Sequence, residues 1–327
     1  MKWLLCLLVL LLSFSISKSQ NSAPVVVDGS STVFPILEAA ALLHSNRNGN
    51  STIQVDNSGT GAGFQKFCTG ESSITGASRL MRDSEAACLE EKGISYTRFV
   101  VALDGITIVV HPENAFLSEI TTEQLRQIWR SDSNVRTWRD VESHWPDEPI
   151  SLYTRGRTSG TYDFFMRNVL QSGDTPTTSY TGAATDYELI NLIIEDRNAM
   201  GIIGFAYYVR NASRLKPLAV NSGRGFVSPS YQTINSGDYS PLSRQLYIYV
   251  NTNHLHENEA LADFLQTLFT RYTLILRRVG YVALNDVNLQ LVRNQLQEVL
   301  TNPDDGTTKS AQTDRSANTM NSGKNTR

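Results

Sequence analysis

The chain has 327 residues, of which 40% are hydrophobic and 19% are charged. That length allows one large domain or two lobes of ordinary size, and the composition is that of a globular protein. The formal net charge of -3 at pH 7 gives no reason to expect nucleic acid or an anionic membrane surface as a partner. Positive charge for binding an anion would therefore have to be local.

The N-terminus has the pattern of a secretory signal peptide. Lys2 is followed by an apolar run over residues 3–12 and by small residues over 13–19. The run is short for a membrane-spanning helix, although a retained anchor is the alternative. We predict a signal peptide over residues 1–20, cleaved close to its end, and a periplasmic or secreted mature protein.

Export to an oxidising compartment would allow the cysteines to form a disulfide. Removal of the signal peptide leaves Cys68 and Cys88, and an even pair in an exported chain favours a disulfide. The alternative is two separate buried thiols. The chain has no Cys-x-x-Cys and its five histidines are scattered, so we expect no metal site and no cofactor.

The predicted elements alternate between strands and helices along the chain. Strands are predicted at residues 25–27, 52–56, 73–79 (ending in a turn), 96–101, 104–110, 151–153, 202–205, 218–220 and 246–250. Helices are predicted at residues 33–43, 64–68, 84–92, 121–129, 162–170, 188–195, 260–269, 272–278 and 287–300. Residues 138–149 are a predicted polar loop, residues 222–241 are predicted to be loop-rich, and the polar residues 301–327 are a predicted disordered tail. This order predicts an α/β fold with a mixed, mainly parallel sheet covered by helices, which binds ligands at the carboxyl ends of its strands.

Three turns rich in Ser, Thr and Gly each follow a predicted strand and open a predicted helix. We call them the first turn (Ser30–Thr32), the second turn (Ser58–Gly61) and the third turn (Ser159–Thr161). The first N–H groups of a helix lack internal partners and carry partial positive charge, so three such turns suit one small oxyanion. The alternative is three independent helix caps, because Ser and Thr are preferred there in any case.

Two arginines next to the third turn would add full positive charge. Arg155 and Arg157 precede Ser159, and a guanidinium can bind an oxyanion through two parallel hydrogen bonds. No enzyme signature competes with this interpretation: the chain has no Walker loop, no nucleophile elbow and no zinc-protease motif. We therefore expect no catalytic residue, with a secreted hydrolase of phosphate esters as the alternative.

The chain resembles a known family along nearly the whole of residues 24–300. Its motifs, in order, look like those of the periplasmic phosphate-binding proteins of ABC importers, the PstS/SphX-like family. The matching stretches are DGSSTVFPI from Asp28, SGTGAGFQKFC from Ser58, GASR from Gly76, DGITIVV from Asp104, SGTYDFF from Ser159, GIIGFAYY from Gly201, PLSRQLYIYVN from Pro241 and VGYVAL from Val279.

The resemblance implies a two-lobed, hinged fold of type II with the anion in the cleft between the lobes. Lobe I would comprise residues 24–104 and 251–300, and lobe II residues 105–250. The implied phosphate ligands are Ser31, Thr32 and Val33 in the first turn region, Ser58, Thr60 and Gly61 in the second, and Ser159, Gly160 and Thr161 in the third, together with Arg155. We add Arg157 and Arg79 as candidate cations.

Two positions depart from the family pattern. Arg79 and Thr158 stand where branches of the family carry a carboxylate, which accepts the proton of hydrogen phosphate and repels sulfate. A binder of sulfate or another oxyanion is therefore a second alternative.

The resemblance implies an extracytoplasmic protein that binds inorganic phosphate and delivers it to the membrane permease of an ABC importer. A stand-alone secreted binder without a transporter is a further alternative, and we expect a monomer with no nucleic-acid partner.

Overall fold

The structure is a computed structural model, and it describes residues 24–48, 53–157 and 159–302. The predicted signal peptide over 1–20, nearly all of the predicted tail over 301–327, and Thr158 lie outside the described residues. Within the described part of the chain, no helix has the length and apolar character needed to cross a membrane.

The described chain folds into alternating strands and helices. The strands are β1 (Val25–Gly29), β2 (Ile53–Val55), β3 (Ile74–Ala77), β4 (Tyr96–Val110), β5 (Glu119–Thr121), β6 (Ser151–Arg155), β7 (Thr181–Ala183), β8 (Ala199–Gly204), β9 (Lys216–Pro217), β10 (Ala219–Asn221), β11 (Phe226–Val227) and β12 (Ser243–Asn251). The helices are α1 (Phe34–Asn48), α2 (Thr60–Cys68), α3 (Asp83–Glu91), α4 (Thr122–Trp129), α5 (Trp138–Val141), α6 (Gly160–Val169), α7 (Asp186–Glu195), α8 (Phe205–Arg210), α9 (Tyr231–Ser236), α10 (Thr252–Glu257), α11 (Glu259–Thr270), α12 (Tyr272–Val279) and α13 (Asp286–Thr301).

Nine strands are connected in one large sheet with two parallel ends. Its strand order is β2-β1-β3-β12-β4-β8-β6-β7, and β9 also pairs with β4. At one end β1 runs parallel to β2 and β3; at the other, β6 runs parallel to β7 and β8. The long antiparallel pair of β4 and β12 lies between them, so the two ends are linked by two crossing strands. The predicted mixed α/β sheet is confirmed.

Two large hydrophobic cores lie on the two sides of this crossing pair. The first contains side chains of β1 and α1 with those of α11, α12 and α13, including Phe264 and Tyr272. The second contains side chains of α4, α6 and β8, including Trp129 and Phe165. Side chains from Leu246 onward therefore pack in the first core again.

Strand β4 is one continuous strand where the sequence suggested two. Asp104 and Gly105 have the composition of a turn, yet they pair with Arg244 and Ser243 of β12. The positive charge of Arg244 compensates the charge of the buried Asp104 carboxylate. Ile234 packs so close to Gly105 that any side chain at position 105 would collide with it. A tertiary partner outweighs the local turn preference.

The prediction of a plain loop at residues 138–149 was wrong in part, and the loop-rich stretch over 222–241 contains two short elements. Helix α5 lies in the first stretch, and Trp138 and Trp145 are buried there around Phe116. Helix α9 and β11 lie in the second. Isolated aromatic residues in a polar stretch give no periodic signal, although each can bury a large apolar area.

The predicted disulfide is confirmed. Cys68 at the end of α2 is bonded to Cys88 in α3, with the two Cα atoms 6.1 Å apart. The bond ties together the two helices that follow the second turn and β3.

Candidate functional site

The three turns lie against one another at the carboxyl ends of β1, β2 and β6. Each turn follows its strand and precedes α1, α2 or α6, as predicted. The Thr32 and Thr161 hydroxyl oxygens are 3.4 Å apart, which joins the first turn to the third. A Cβ atom built on Gly160 would lie 1.9 Å from the Ser78 hydroxyl oxygen and 2.8 Å from that of Thr60. The third turn therefore contacts the second turn and the end of β3, and only glycine leaves room for this approach.

Ser78 is a site residue that the sequence argument did not select. It is fully buried directly after β3. Its hydroxyl accepts a hydrogen bond from Ser30 at 3.1 Å and lies 3.2 Å from the Thr60 hydroxyl. The sequence contained a signal for Ser78, because this serine follows a strand in a short polar turn, as the serines and threonines of the three turns do.

Arg244 of β12 is the second residue that was missed, and it contacts the first and third turns. Its guanidinium donates to the Thr161 hydroxyl at 2.9 Å, the Gly160 carbonyl at 2.9 Å and the Thr32 hydroxyl at 3.4 Å. It also donates to the Ser78 carbonyl at 3.3 Å. Arg244 is 6% exposed. A buried arginine thus lies among the hydroxyls that were predicted to bind an anion.

Asp104 holds Arg244 in place. The Arg244 Nη2 and Nε atoms lie 2.9 and 3.2 Å from the Asp104 carboxylate, and both side chains are almost wholly buried. Burial raises the pKa of Asp104, and the positive charge of Arg244 opposes that shift. The pair fixes the planar guanidinium where the crossing strands meet the turns.

Arg155, a predicted ligand, also lies where the three turns meet. We call this place the convergence. It is paired with Asp186 at the start of α7, and its Nη1 atom donates to the Ser31 hydroxyl at 3.4 Å. Burial raises the pKa of Asp186, opposed by the charge of Arg155. The buried Nε atom of Arg155 has no hydrogen-bond partner among the described residues. An ionised donor in that state favours an acceptor that the protein itself does not supply.

Arg79 and Arg157 lie beside the convergence rather than in it. The Arg79 guanidinium makes two hydrogen bonds to Glu85, at 2.7 and 2.8 Å, and an ion pair with Asp163 at 3.1 Å. Arg157 is exposed and, within the described ranges, forms no ion pair with a carboxylate. Both line a cavity of about 480 Å³ that reaches Ser159 and Gly160.

Two other predicted ligands have structural partners. The Ser58 backbone N–H and hydroxyl both bind the Asp28 carboxylate, at 2.8 and 2.9 Å, so they shape the second turn. The Val33 N–H donates to the Ser30 carbonyl at 3.0 Å, and its side chain packs near Gly76. Thr60 and Gly61 remain as the first residues of α2, whose first N–H groups precede the helical hydrogen-bond ladder.

The arrangement has the chemistry of an oxyanion site. Five hydroxyls, of Ser31, Thr32, Thr60, Ser78 and Thr161, lie among two arginines and two helix N-termini. Hydroxyls and N–H groups donate to oxygen, and arginine compensates negative charge. Among the described residues, no group of three His, Cys, Asp or Glu side chains could hold a metal ion.

This chain is similar in sequence to known proteins. A model of the PBP superfamily domain matches residues 16–271. The chain is 35% identical over 268 residues to the protein SphX of Synechocystis sp., which covers 81% of this chain and 80% of that protein. The chain belongs to the PstS/SphX-like family. It is also 34% identical to the phosphate-binding protein PstS of Staphylococcus saprophyticus, over 84% of each chain.

Solved structures agree with this membership. The crystal structure of a possible phosphate-binding protein from Planctomyces limnophilus matches with a TM-score of 0.66 and 36% identity, over 85% of this chain and 99% of that one. An ABC-type phosphate transport receptor from Vibrio cholerae matches with a TM-score of 0.63 over 79% and 99%, at 21% identity. The first likeness supports family and fold, and the second supports the fold. The two-lobed periplasmic-binding-protein fold is thereby confirmed.

Proposed function

We propose that this protein binds inorganic phosphate at the convergence of the three turns. The observation that carries the proposal is that the partly buried Arg155 and the buried Arg244 bind hydroxyls of the first and third turns, while the Thr60 hydroxyl of the second turn lies beside the Ser78 hydroxyl, which Ser30 of the first turn binds. A tetrahedral oxyanion has four oxygens to be hydrogen-bonded and negative charge to be compensated, and this set supplies both. Relatives named phosphate-binding proteins support phosphate as the oxyanion.

The ligand set combines predicted and added residues. Predicted ligands are Ser31, Thr32, Val33, Ser58, Thr60, Gly61, Arg79, Arg155, Arg157, Ser159, Gly160 and Thr161. We add Ser78 and Arg244 because of their contacts, and we assign Ser58 and Val33 to shaping the turns. Arg79 acts indirectly, because its donors are bound to Glu85 and Asp163.

The two hydrophobic cores support a division into two lobes. We propose that lobe I comprises residues 24–104 and 251–300, and lobe II residues 105–250, with β4 and β12 as the crossing segments. The residues of the first core fall almost wholly in lobe I or on β12, and those of the second fall in lobe II with Val282 as the exception. The anion would then bind between the lobes.

The biological role that fits is delivery of phosphate to an ABC permease by an exported, monomeric protein that turns over no phosphate ester. Family membership supports this role over the hydrolase alternative.

Isothermal titration of the mature protein with phosphate, arsenate and sulfate tests the proposed function. We expect phosphate and arsenate to bind at one site per chain. Saturable binding of sulfate alone would replace phosphate with another oxyanion, and absence of binding to all three at millimolar concentration would contradict the proposal.

A further inference from the structure

Asp163 is bound by arginines from two separate parts of the chain. It lies in the first turn of α6 and accepts a hydrogen bond from Arg82 at 2.7 Å. Arg79 lies 3.1 Å from the same carboxylate, and Arg167 of α6 itself lies 3.3 Å away. Arg79 follows β3 and Arg82 precedes α3, so these ion pairs join the β3–α3 segment to α6.

These ion pairs border the space next to the candidate site. Arg79, Arg82 and Asp163 line the cavity of about 480 Å³, which extends to Gly61 of the second turn and to Gly160 of the third. None of the three makes a described hydrogen bond to the hydroxyls of the turns. They therefore connect the two walls of the cleft without belonging to the ligand set.

The arginine side of the connection is rigid. Glu85 binds the Arg79 guanidinium with both of its oxygens and also accepts the Arg82 backbone N–H at 2.8 Å. The Arg79 guanidinium lies 5.5 Å from the centre of the Phe64 ring. Because these contacts all come from residues 64–85, they would hold Arg79 without Asp163, and little side-chain entropy would be lost when the two meet.

We propose that Asp163 is a positioning residue that holds the cleft closed over bound phosphate and slows its release. The inference rests on the proposed function and on the proposed division into lobes. Asp163 and α6 belong to lobe II, whereas Arg79 and Arg82 belong to lobe I, so the ion pairs exist only while the lobes are together. An interaction present only in the closed form shifts the population toward that form.

We call the ion pairs of Asp163 with Arg79 and Arg82 the latch. Its strength depends on burial and on the number of partners. An isolated, exposed ion pair contributes little, but the Asp163 side chain is 21% exposed and is shared by several arginines. Loss of one partner of a hydrogen-bonded charge pair acts mainly on the dissociation rate. We expect about a three- to tenfold faster release of phosphate from Asp163→Asn.

The experiment compares the latch with an ion pair that lies within one lobe. Asp174→Asn is the matched control, because Asp174 pairs with Arg126 through two hydrogen bonds inside lobe II. Phosphate-loaded protein is mixed rapidly with an excess of a fluorescent phosphate sensor, and the release rate is recorded. We expect Asp163→Asn to release phosphate faster and Asp174→Asn to remain within about twofold of the wild type. A release rate of Asp163→Asn within about twofold of the wild type would overturn the latch.

A second variant separates a latch from a contribution to folding. The Arg82 side chain is 43% exposed, so Arg82→Gln is expected to fold. Its effect on release should be smaller than that of Asp163→Asn, and the double variant should release phosphate more slowly than the two single effects multiplied together predict. The same coupling in the melting temperature of phosphate-free protein would overturn the proposal, because the pair would then act in the open form too. Wild-type protein that binds no phosphate would overturn both the proposed function and the latch, whereas unchanged release from a binding-competent variant would overturn the latch alone.

Discussion

Arg244 has a role at the site that depends on the shape of its guanidinium. It contacts the Asp104 carboxylate, the Gly160 carbonyl and the Thr161 hydroxyl at the same time. Lysine keeps the positive charge but has a single nitrogen at its end, so it cannot reproduce this set of contacts. The residue therefore connects the crossing strand β12 to the third turn, and lysine at this position would keep a positive charge beside the buried Asp104 while losing the contacts to the turn.

We expect Arg244→Lys to weaken phosphate binding at least about tenfold, because a hydrogen bond to a charged group contributes about 1.5–3 kcal/mol. Titration calorimetry measures the change. Arg126→Lys is the control, since Arg126 also binds a carboxylate through two hydrogen bonds but contacts none of the three turns. Equal affinities for the wild type and Arg244→Lys would remove Arg244 from the ligand set.

Asp28 links the shape of the second turn to pH. Its buried carboxylate accepts hydrogen bonds from the Gly29 N–H, from the N–H and hydroxyl of Ser58, and from Lys66. Burial by itself would raise the pKa of Asp28, but these hydrogen bonds outweigh burial and hold the pKa below its ordinary value. A carboxyl whose pKa is depressed in the folded state stabilises that state above its unfolded pKa, and the contribution is lost as the pH falls through the folded pKa.

The free energy of unfolding of Asp28→Asn should therefore differ most from that of the wild type at neutral pH. The difference should shrink as the pH falls below about 4, the ordinary pKa of an aspartate in the unfolded chain, and on through the lower pKa of folded Asp28. Urea unfolding at several pH values between neutrality and acid measures both proteins. Asp56→Asn, which changes an exposed carboxylate of the same loop, should instead follow the wild type. A constant difference between Asp28→Asn and the wild type across this range would contradict the role of ionised Asp28.

At the scale of elements, the disulfide joins the two helices that carry one wall of the cleft. Helix α2 begins at the second turn, and α3 follows the arginines of the latch. Cys68 and Cys88 are 20 residues apart, and a cross-link closing a loop of this length stabilises a protein by about 3 kcal/mol. The bond limits the unfolded chain and fixes α3 against α2 in the folded one.

Replacing both cysteines by serine should lower the urea midpoint of unfolding. A reductant should lower the midpoint of the wild type in the same way and leave the double-serine variant unchanged. This comparison separates the disulfide from other effects of the two substitutions. Equal midpoints for all four samples would mean that the bond does not contribute to stability.

At the scale of the whole molecule, the elements and the three turns could be predicted because their signals are local. Ser, Thr and Gly between a strand and a helix predict a turn at the start of the helix, and a turn lies there in all three cases. Arg244 could not be placed in this way, because its partner Asp104 lies 140 positions earlier and β12 looks like any buried strand. Arg79 was read as a cation for the anion, whereas the structure pairs it with Glu85 and Asp163. Composition predicts charge near a site, but only tertiary packing decides which charges neutralise each other.

The whole molecule should close around phosphate like a hinge. β4 and β12 link the two cores, and the first and second turns lie opposite the third. A single anion that contacts both sides binds the closed form more tightly and shifts the population toward it. Phosphate should therefore decrease the radius of gyration and raise the melting temperature as its concentration exceeds the dissociation constant. Small-angle scattering and thermal melts with and without phosphate measure these two effects.

Gly160→Ala tests whether closure requires the contact between the third turn and β3. Its Cβ atom would lie 1.9 Å from the Ser78 hydroxyl oxygen, so the two sides could not approach as closely as they do here. We expect weaker binding and a smaller phosphate-dependent compaction, with the unliganded melting temperature close to that of the wild type. Gly156→Ala is the matched control in the same loop, because a Cβ atom there meets nothing within 4 Å. Compaction of Gly160→Ala equal to that of Gly156→Ala would mean that the hinge closes without this contact. Tight binding by the wild type with no compaction would reject the hinge and leave the phosphate site in place.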